Sequence, residues 1–177
     1  MPVFNNSQER GPLVGKTREL GSSGRTILVI GRFQPFHRGH EFLLKGLSEG
    51  GRNFLKVAIG SSNRAGTADN PYTYSRRTEM IRSLGSSGLC NFSIFPVPDV
   101  KDDRKWLVLL LEKSGNFDFA VSGNLLVRRL FRGAGLLALR NKFFKRRIYS
   151  GTRIRKRMKK GLAWKGLVPK GVGRIIG

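Results

Sequence analysis

The sequence predicts an α/β protein: one open, parallel, five-stranded sheet with helices on both faces. Three observations carry that expectation. Short apolar runs rich in β-branched residues recur along the chain, each brief enough for a buried strand. Segments with helical apolar spacing or helix-start residues lie between them. Glycine turns at Gly31, Gly60, Gly123 and Gly151 fall beside the runs, and open sheets of this kind bind ligands at strand ends. Strand and helix in alternation imply parallel pairing through right-handed crossovers.

Residues 1–24 mix Asn, Ser, Gln, Gly and charge without periodicity; they read as a flexible tail, and 25–177 as one domain. The run at 26–30 is the first strand, and Leu43, Leu44 and Leu47 place a helix over 40–49. A turn at 50–53 leads to the second strand, 54–60, then a polar loop from Ser61. Thr73 is placed to cap a helix running to about Leu84. The third strand is 91–97, followed by a loop at Pro98 and a short helix carrying Trp106 and a leucine run. The fourth strand is 118–123, with a helix over 125–132. The fifth is 146–149, entering Ser150-Gly151-Thr152 and a helix over 153–160. No internal repeat is evident.

The length suits a single hydrophobic core, and 39% hydrophobic residues is ordinary for a globular chain. The longest apolar run, 106–111, is far shorter than a membrane span. The first residues hold no apolar block of the kind a signal peptide needs. The single Cys90 excludes an internal disulfide framework and fits a reducing compartment, so a cytoplasmic location is expected. Net charge is the unusual quantity, at +23 with a pI near 11.5. Such a field draws in polyanions. Nucleic-acid binding stays open as an alternative or second activity, and so does a general basic bias of no specific use. Eleven of the 34 basic residues lie between Arg140 and Lys160; of these Arg155 is expected in the site and the others on the surface.

Both histidines, His37 and His40, sit in the turn after the first strand, within Gly31-Arg32-Phe33-Gln34-Pro35-Phe36-His37-Arg38-Gly39-His40. Free amides and the helix dipole attract anions at such a helix start. Pro35 keeps the helix from beginning early. Gly39 leaves room for a phosphate to approach, and Arg32 and Arg38 are expected to face the same corner as the imidazoles. A plain surface turn is the bland alternative; a zinc site lacks a third ligand at suitable spacing. Ser150-Gly151-Thr152 repeats the same physics, with Arg155 able to add a guanidinium fork. Helix capping alone would also explain Ser150 or Thr152. For Trp106, spacing leaves core packing and ligand stacking both open.

His37-Arg38-Gly39-His40 resembles the HxGH signature of the nucleotidylyltransferase superfamily. The full ten-residue string is similar to that of the archaeal-type nicotinamide-nucleotide adenylyltransferases. Further segments resemble that family in order: Gly60-Ser61-Ser62, Asn70-Pro71-Tyr72-Thr73 with Arg77, Ser122-Gly123-Asn124 with Leu130-Phe131, and Tyr149-Ser150-Gly151-Thr152-Arg153-Ile154-Arg155. The resemblance covers roughly residues 25–176. It implies a Rossmann-like open parallel five-stranded sheet and transfer of AMP from ATP to nicotinamide mononucleotide, giving NAD and pyrophosphate. It also implies Mg²⁺ carried with ATP and assembly as a homo-oligomer. His37, His40 and Arg155 are then catalytic. Gly31, Arg32, Phe33, Gln34, Gly39, Ser150, Gly151 and Thr152 bind ATP. Ser61, Arg77, Asp99, Asp103, Trp106 and Asn124 bind nicotinamide mononucleotide, with Trp106 stacked on the pyridinium ring. No protein ligand set for a metal is expected. Transfer to another phosphorylated acceptor, or nucleic-acid binding on the same fold, are the alternatives.

Three positions depart from the family's pattern. Arg76 replaces a Glu. Asp69 stands where a basic residue is common, so Arg64 substitutes or a phosphate contact is lost. Asp103 stands where Asn is usual; its carboxylate would attract a pyridinium and repel a nicotinate carboxylate.

Overall fold

The computed structural model describes residues 24–85, 91–141, 145 and 147–177. Five strands, β1 Thr26–Gly31, β2 Phe54–Ile59, β3 Phe92–Pro96, β4 Phe119–Ser122 and β5 Ala138–Arg140, form one sheet in the order β3-β2-β1-β4-β5. Every pairing is parallel. Between and after them run α1 Arg38–Ser48, α2 Tyr74–Arg82, α3 Asp103–Ser114, α4 Leu125–Gly133, α5 Gly151–Lys159 and α6 Lys170–Ile176. The expected Rossmann-like architecture is therefore present.

Side-chain alternation splits the core between the two faces of the sheet. Ile27, Val29, Leu55, Val57 and Ile59 pack with Leu44 of α1, Met80 and Ile81 of α2, Ile154 of α5 and Val172 of α6. Leu28, Ile30, Ala58 and Ala120 pack with Leu107 and Leu110 of α3 and Val127 and Phe131 of α4. From β1 the chain builds outward to β2 and β3, then returns to lay β4 on the other side. The carboxyl ends of β1 and β4 therefore diverge at a topological switch point, where such sheets open a crevice.

The expectation of a fifth strand over 146–149 is overturned. Arg147, Ile148 and Tyr149 form a turn closed by Ile148 N–H and Tyr149 N–H on the Lys145 carbonyl, at 2.7 and 3.0 Å; Arg146 lies outside the described residues. The edge strand is Ala138–Arg140, paired to Ala120, Val121 and Ser122. Leu136 and Ala138 can pack against the α3–α4 face of the core. The lone Ile148 among basic neighbours has no comparable apolar partner set and stays exposed. Within the residue 107–111 run, Leu107 and Leu110 are buried against the sheet, and Val108 is exposed. Helix α6 had no expectation. It docks on α2, where Arg76 donates to the Ile175 carbonyl and pairs with Glu79 at 3.5 Å. Cys90 and the tail before Gly24 lie outside the described residues.

Candidate active site

The first corner is set by a histidine that does the work usually given to Ser or Asp. His37, in extended backbone, caps α1. Its Nδ1 accepts the His40 N–H and the His40 Nδ1 accepts the His37 N–H, each at 3.3 Å, a reciprocal capping box made of two imidazoles. Their rings stack with centroids 3.6 Å apart and planes inclined by 16°. Phe33 and Phe36 pack on His40 at 4.8 and 5.3 Å. Because each Nδ1 is an acceptor, each neutral ring carries its proton on Nε2. That leaves one Nε2–H donor per ring, and both residues line the same cavity.

Burial lowers the His37 pKa to about 4. Burial, then the neighbouring His37, holds His40 well below the usual imidazole value. Both rings are therefore neutral donors at pH 7. The depressed folded-state values fix the direction of a pH effect. The unfolded chain binds protons first, so the stability contributed by the neutral pair is complete above about pH 6.5 and is lost as pH falls toward 4. Denaturant midpoints measured across that interval should fall with acidification. The fall should be smaller in His37→Asn, which keeps a cap acceptor that does not titrate.

The second corner is pressed onto the first. Ser150 caps α5, its Oγ accepting the Arg153 N–H at 3.3 Å. A Cβ on Gly151 would stand 2.6 Å from the Gln34 carbonyl oxygen, so only glycine lets the two turns meet. Arg155 then donates Nη1–H to that same carbonyl at 2.8 Å. Gly39 serves the same closure. A Cβ there would lie 3.1 Å from the His37 ring and 3.2 Å from the Tyr149 Cβ, so its space is taken by protein rather than left for a phosphate. Gly151→Ala should push the corners apart and lower kcat/KM about tenfold, with the fold retained, as steady-state kinetics beside circular dichroism will show.

The cavity between the corners holds about 500 Å³. It is lined by every residue expected to act in catalysis or to bind either nucleotide except Gly39 and Arg77. At the β2–β3 end stand Ser61, Asp99, Asp103 and Trp106, with Ser61 Oγ donating to Asp99 Oδ1 at 2.9 Å. At the β4 end Asn124 caps α4 through its Oδ1. Arg38 does not share the corner: its Nε donates to the Gly166 carbonyl at 2.9 Å, tying α1 to the carboxyl-terminal segment. Arg64 pairs with Asp99 at 3.5 Å instead of taking a phosphate position. Asp69 pairs with Arg155 at 2.7 Å, so a carboxylate occupies one side of the fork.

Arg77 lies behind the cavity wall, fully buried. Its guanidinium donates to the carbonyls of Arg32 at 3.0 Å, Gly60 at 2.8 Å, Ser61 at 3.0 Å and Thr73 at 3.2 Å. It therefore joins the carboxyl ends of β1 and β2, and acts on the site by holding Arg32 and Ser61. One polar lining residue falls outside every segment singled out in the sequence. Asn141, just past β5, is buried with its Oδ1 unpartnered among the described residues. Misplacing the fifth strand hid it; the end of the apolar run 136–139 was the available signal. Among the described residues no three His, Cys, Asp or Glu side chains gather to hold a metal ion.

The cytidylyltransferase-like family matches residues 28–157. A nicotinamide-nucleotide adenylyltransferase of Methanolobus tindarius is 37% identical over 153 residues, covering 86% of this chain and 87% of that one. One from Thermococcus onnurineus is 38% identical over 155 residues, covering 84% and 80%. The chain belongs to the nicotinamide-nucleotide adenylyltransferase family. Solved structures agree on this family's fold. A bifunctional NMN adenylyltransferase/ADP ribose pyrophosphatase of Francisella tularensis, complexed with AMP and Mn ion, superposes with a TM-score of 0.65 at 22% identity. The match covers 82% of this chain and spans 44% of that longer one. A putative nicotinate-nucleotide adenylyltransferase of Vibrio parahaemolyticus gives 0.56 at 14% identity, covering 87% and 99%.

Proposed function

We propose that the protein transfers AMP from ATP to nicotinamide mononucleotide, forming NAD and pyrophosphate. A phosphate oxygen of the mononucleotide attacks the α-phosphorus of ATP; the bond to the β-phosphate oxygen breaks, and pyrophosphate departs with the electron pair. The attacking monoester is already ionised near neutrality, its second pKa being about 6, so no base is required. The protein's task is to align two anions and to stabilise charge on the transferring and departing oxygens.

The single observation that carries the reading is the joining of the two corners through the Gln34 carbonyl, with Arg155 bonded across them. Ser150, Gly151, Thr152 and Arg155 would hold the β- and γ-phosphates at the start of α5. The Nε2–H groups of His37 and His40 would donate to the oxygens on which charge develops. The triphosphate, carrying far more charge than a carboxylate, displaces Asp69 from Arg155. Mg²⁺ enters with ATP, on phosphate oxygens. Nicotinamide lies at the Trp106 end, its cationic ring facing Asp99 and Asp103.

Incubation with ATP, Mg²⁺ and nicotinamide mononucleotide should release pyrophosphate and NAD in equal amounts. Release only with a different phosphorylated acceptor, or none at all, would overturn the reading. Wild-type kcat/KM should favour nicotinamide over nicotinate mononucleotide, and Asp103→Asn should narrow that preference; equal values in the wild type would remove Asp103 from selectivity. A homo-oligomer belongs to the same proposal. Its contact is better sought at the exposed Leu137 and Leu139 beside the free edge of β5 than along residues 107–111, and light scattering of a Leu139→Glu variant tests it. No helix among the described residues is long and apolar enough to cross a membrane. A cytoplasmic location is proposed with the substrates.

A further inference from the structure

Adenylyl transfer leaves most of the basic charge unused. Asp118 is the last acidic residue of the chain, and the residues after it carry seventeen Lys and Arg without one carboxylate. Helix α5 concentrates this charge. Ile154 is buried and Met158 packs against the same core cluster, which fixes the inward face. At about 3.6 residues per turn, Lys159, Lys156, Lys160, Arg153 and Arg157 follow one another around the outward arc, Lys160 being the cap residue. All but Arg157 are exposed, and none of the five forms an ion pair among the described residues. Among the described residues the guanidinium groups of Arg153 and Arg157 donate to the carbonyls of Arg147 and Ala163.

Like charges three and four residues apart repel and weaken the helix that bears them. An isolated protein gains nothing from such a stripe, whereas a polyanion laid along it removes the repulsion and releases its own counterions. We infer that the outward face of α5 binds the sugar–phosphate backbone of a nucleic acid, independently of adenylyl transfer. A membrane surface fits less well, because the apolar face of α5 is spent on the protein core and has nothing to insert into lipid. A nucleotide substrate fits less well too, since the stripe turns away from the inward face and Arg155 alone of the α5 cations lines the cavity.

The test uses the whole chain and a fluorescein-labelled uridine 20-mer, with a 20-base-pair DNA duplex as a second arm. Anisotropy titrations run from 50 to 200 mM KCl. With about five phosphates neutralised on a single strand, log K against log salt should have a slope of about −3.5. Lys156→Ala/Lys159→Ala/Lys160→Ala should flatten that slope by about 2 and weaken binding at 100 mM salt at least tenfold, while NAD formation stays at the wild-type rate. Alanine favours helix, so circular dichroism should remain unchanged. Tighter binding of the 20-mer would assign single strands and tighter binding of the duplex would assign double strands; either supports a backbone site. Absence of binding at 50 mM salt, an unchanged slope in the triple variant, or binding confined to phosphatidylserine vesicles would overturn the inference.

Discussion

His40→Ala should lower kcat by about a hundred- to a thousandfold, the loss typical of one donor aimed at developing negative charge. The Michaelis constant for ATP should change little, because in the proposed reaction Arg155 and the α5 start hold the triphosphate tail. The variant also loses the acceptor for the His37 N–H, so it should be about 1 kcal/mol less stable. The two effects separate in His40→Gln. A Gln at the third helical position rebuilds the reciprocal cap through its Oε1, while its amide NH2 lacks the rigid ring that fixes the imidazole Nε2–H. Its melting temperature should return toward wild type while turnover stays low. Near-normal turnover in either variant would remove His40 from the mechanism, and a low melting temperature in His40→Gln would remove the imidazole cap.

Arg77→Leu should be the most destabilising single change, at about 3–5 kcal/mol, because it strands the Arg32 and Gly60 carbonyls, which accept no other hydrogen bond among the described residues, and strips a second donor from those of Ser61 and Thr73. Burial, then repulsion from Arg32, pulls the Arg77 pKa down to about 10, so the group is still charged at neutrality and is compensated by those carbonyls. Arg77→Lys should recover little. An ammonium offers three donors from one nitrogen and cannot span acceptors on β1, β2 and the start of α2 as a planar fork does. Urea midpoints give the comparison. A leucine variant as stable as wild type would show that the carbonyls find water instead. Because those carbonyls belong to Arg32, Gly60, Ser61 and Thr73, surviving variants should also bind the mononucleotide less well.

Residue order alone placed the two candidate anion-binding turns. A strand, a glycine-bearing turn and a helix start lie within a dozen residues of one another, and the amides and dipole that attract phosphate belong to that local geometry. The same locality made Thr73 legible as a cap and Trp106 as a residue at the start of a helix. Contacts between residues distant in sequence were not legible. Gly39 reads as space for a ligand until Tyr149 is seen filling it, and Arg38 reads as a phosphate contact until Gly166 is seen accepting its proton. Arg77 matches a binding motif, yet its donors are consumed by carbonyls that only folding brings around it. The fifth strand failed for the same reason. The 136–139 run is the more apolar segment in isolation, and the hydrogen-bonding edge of β4, with the apolar floor of α3 and α4 beneath it, is what makes its end the strand.

What the linear order of residues dictated, then, is chemistry held within one turn of chain: a candidate anion site at each of two helix starts, and the pair His37 and His40 at the first. Which turns meet, which arginine reaches the cavity and which is buried beneath it were settled by packing alone. Those choices depend on residues more than a hundred positions apart meeting within a few ångströms, as Gly151 and Arg155 do at the Gln34 carbonyl.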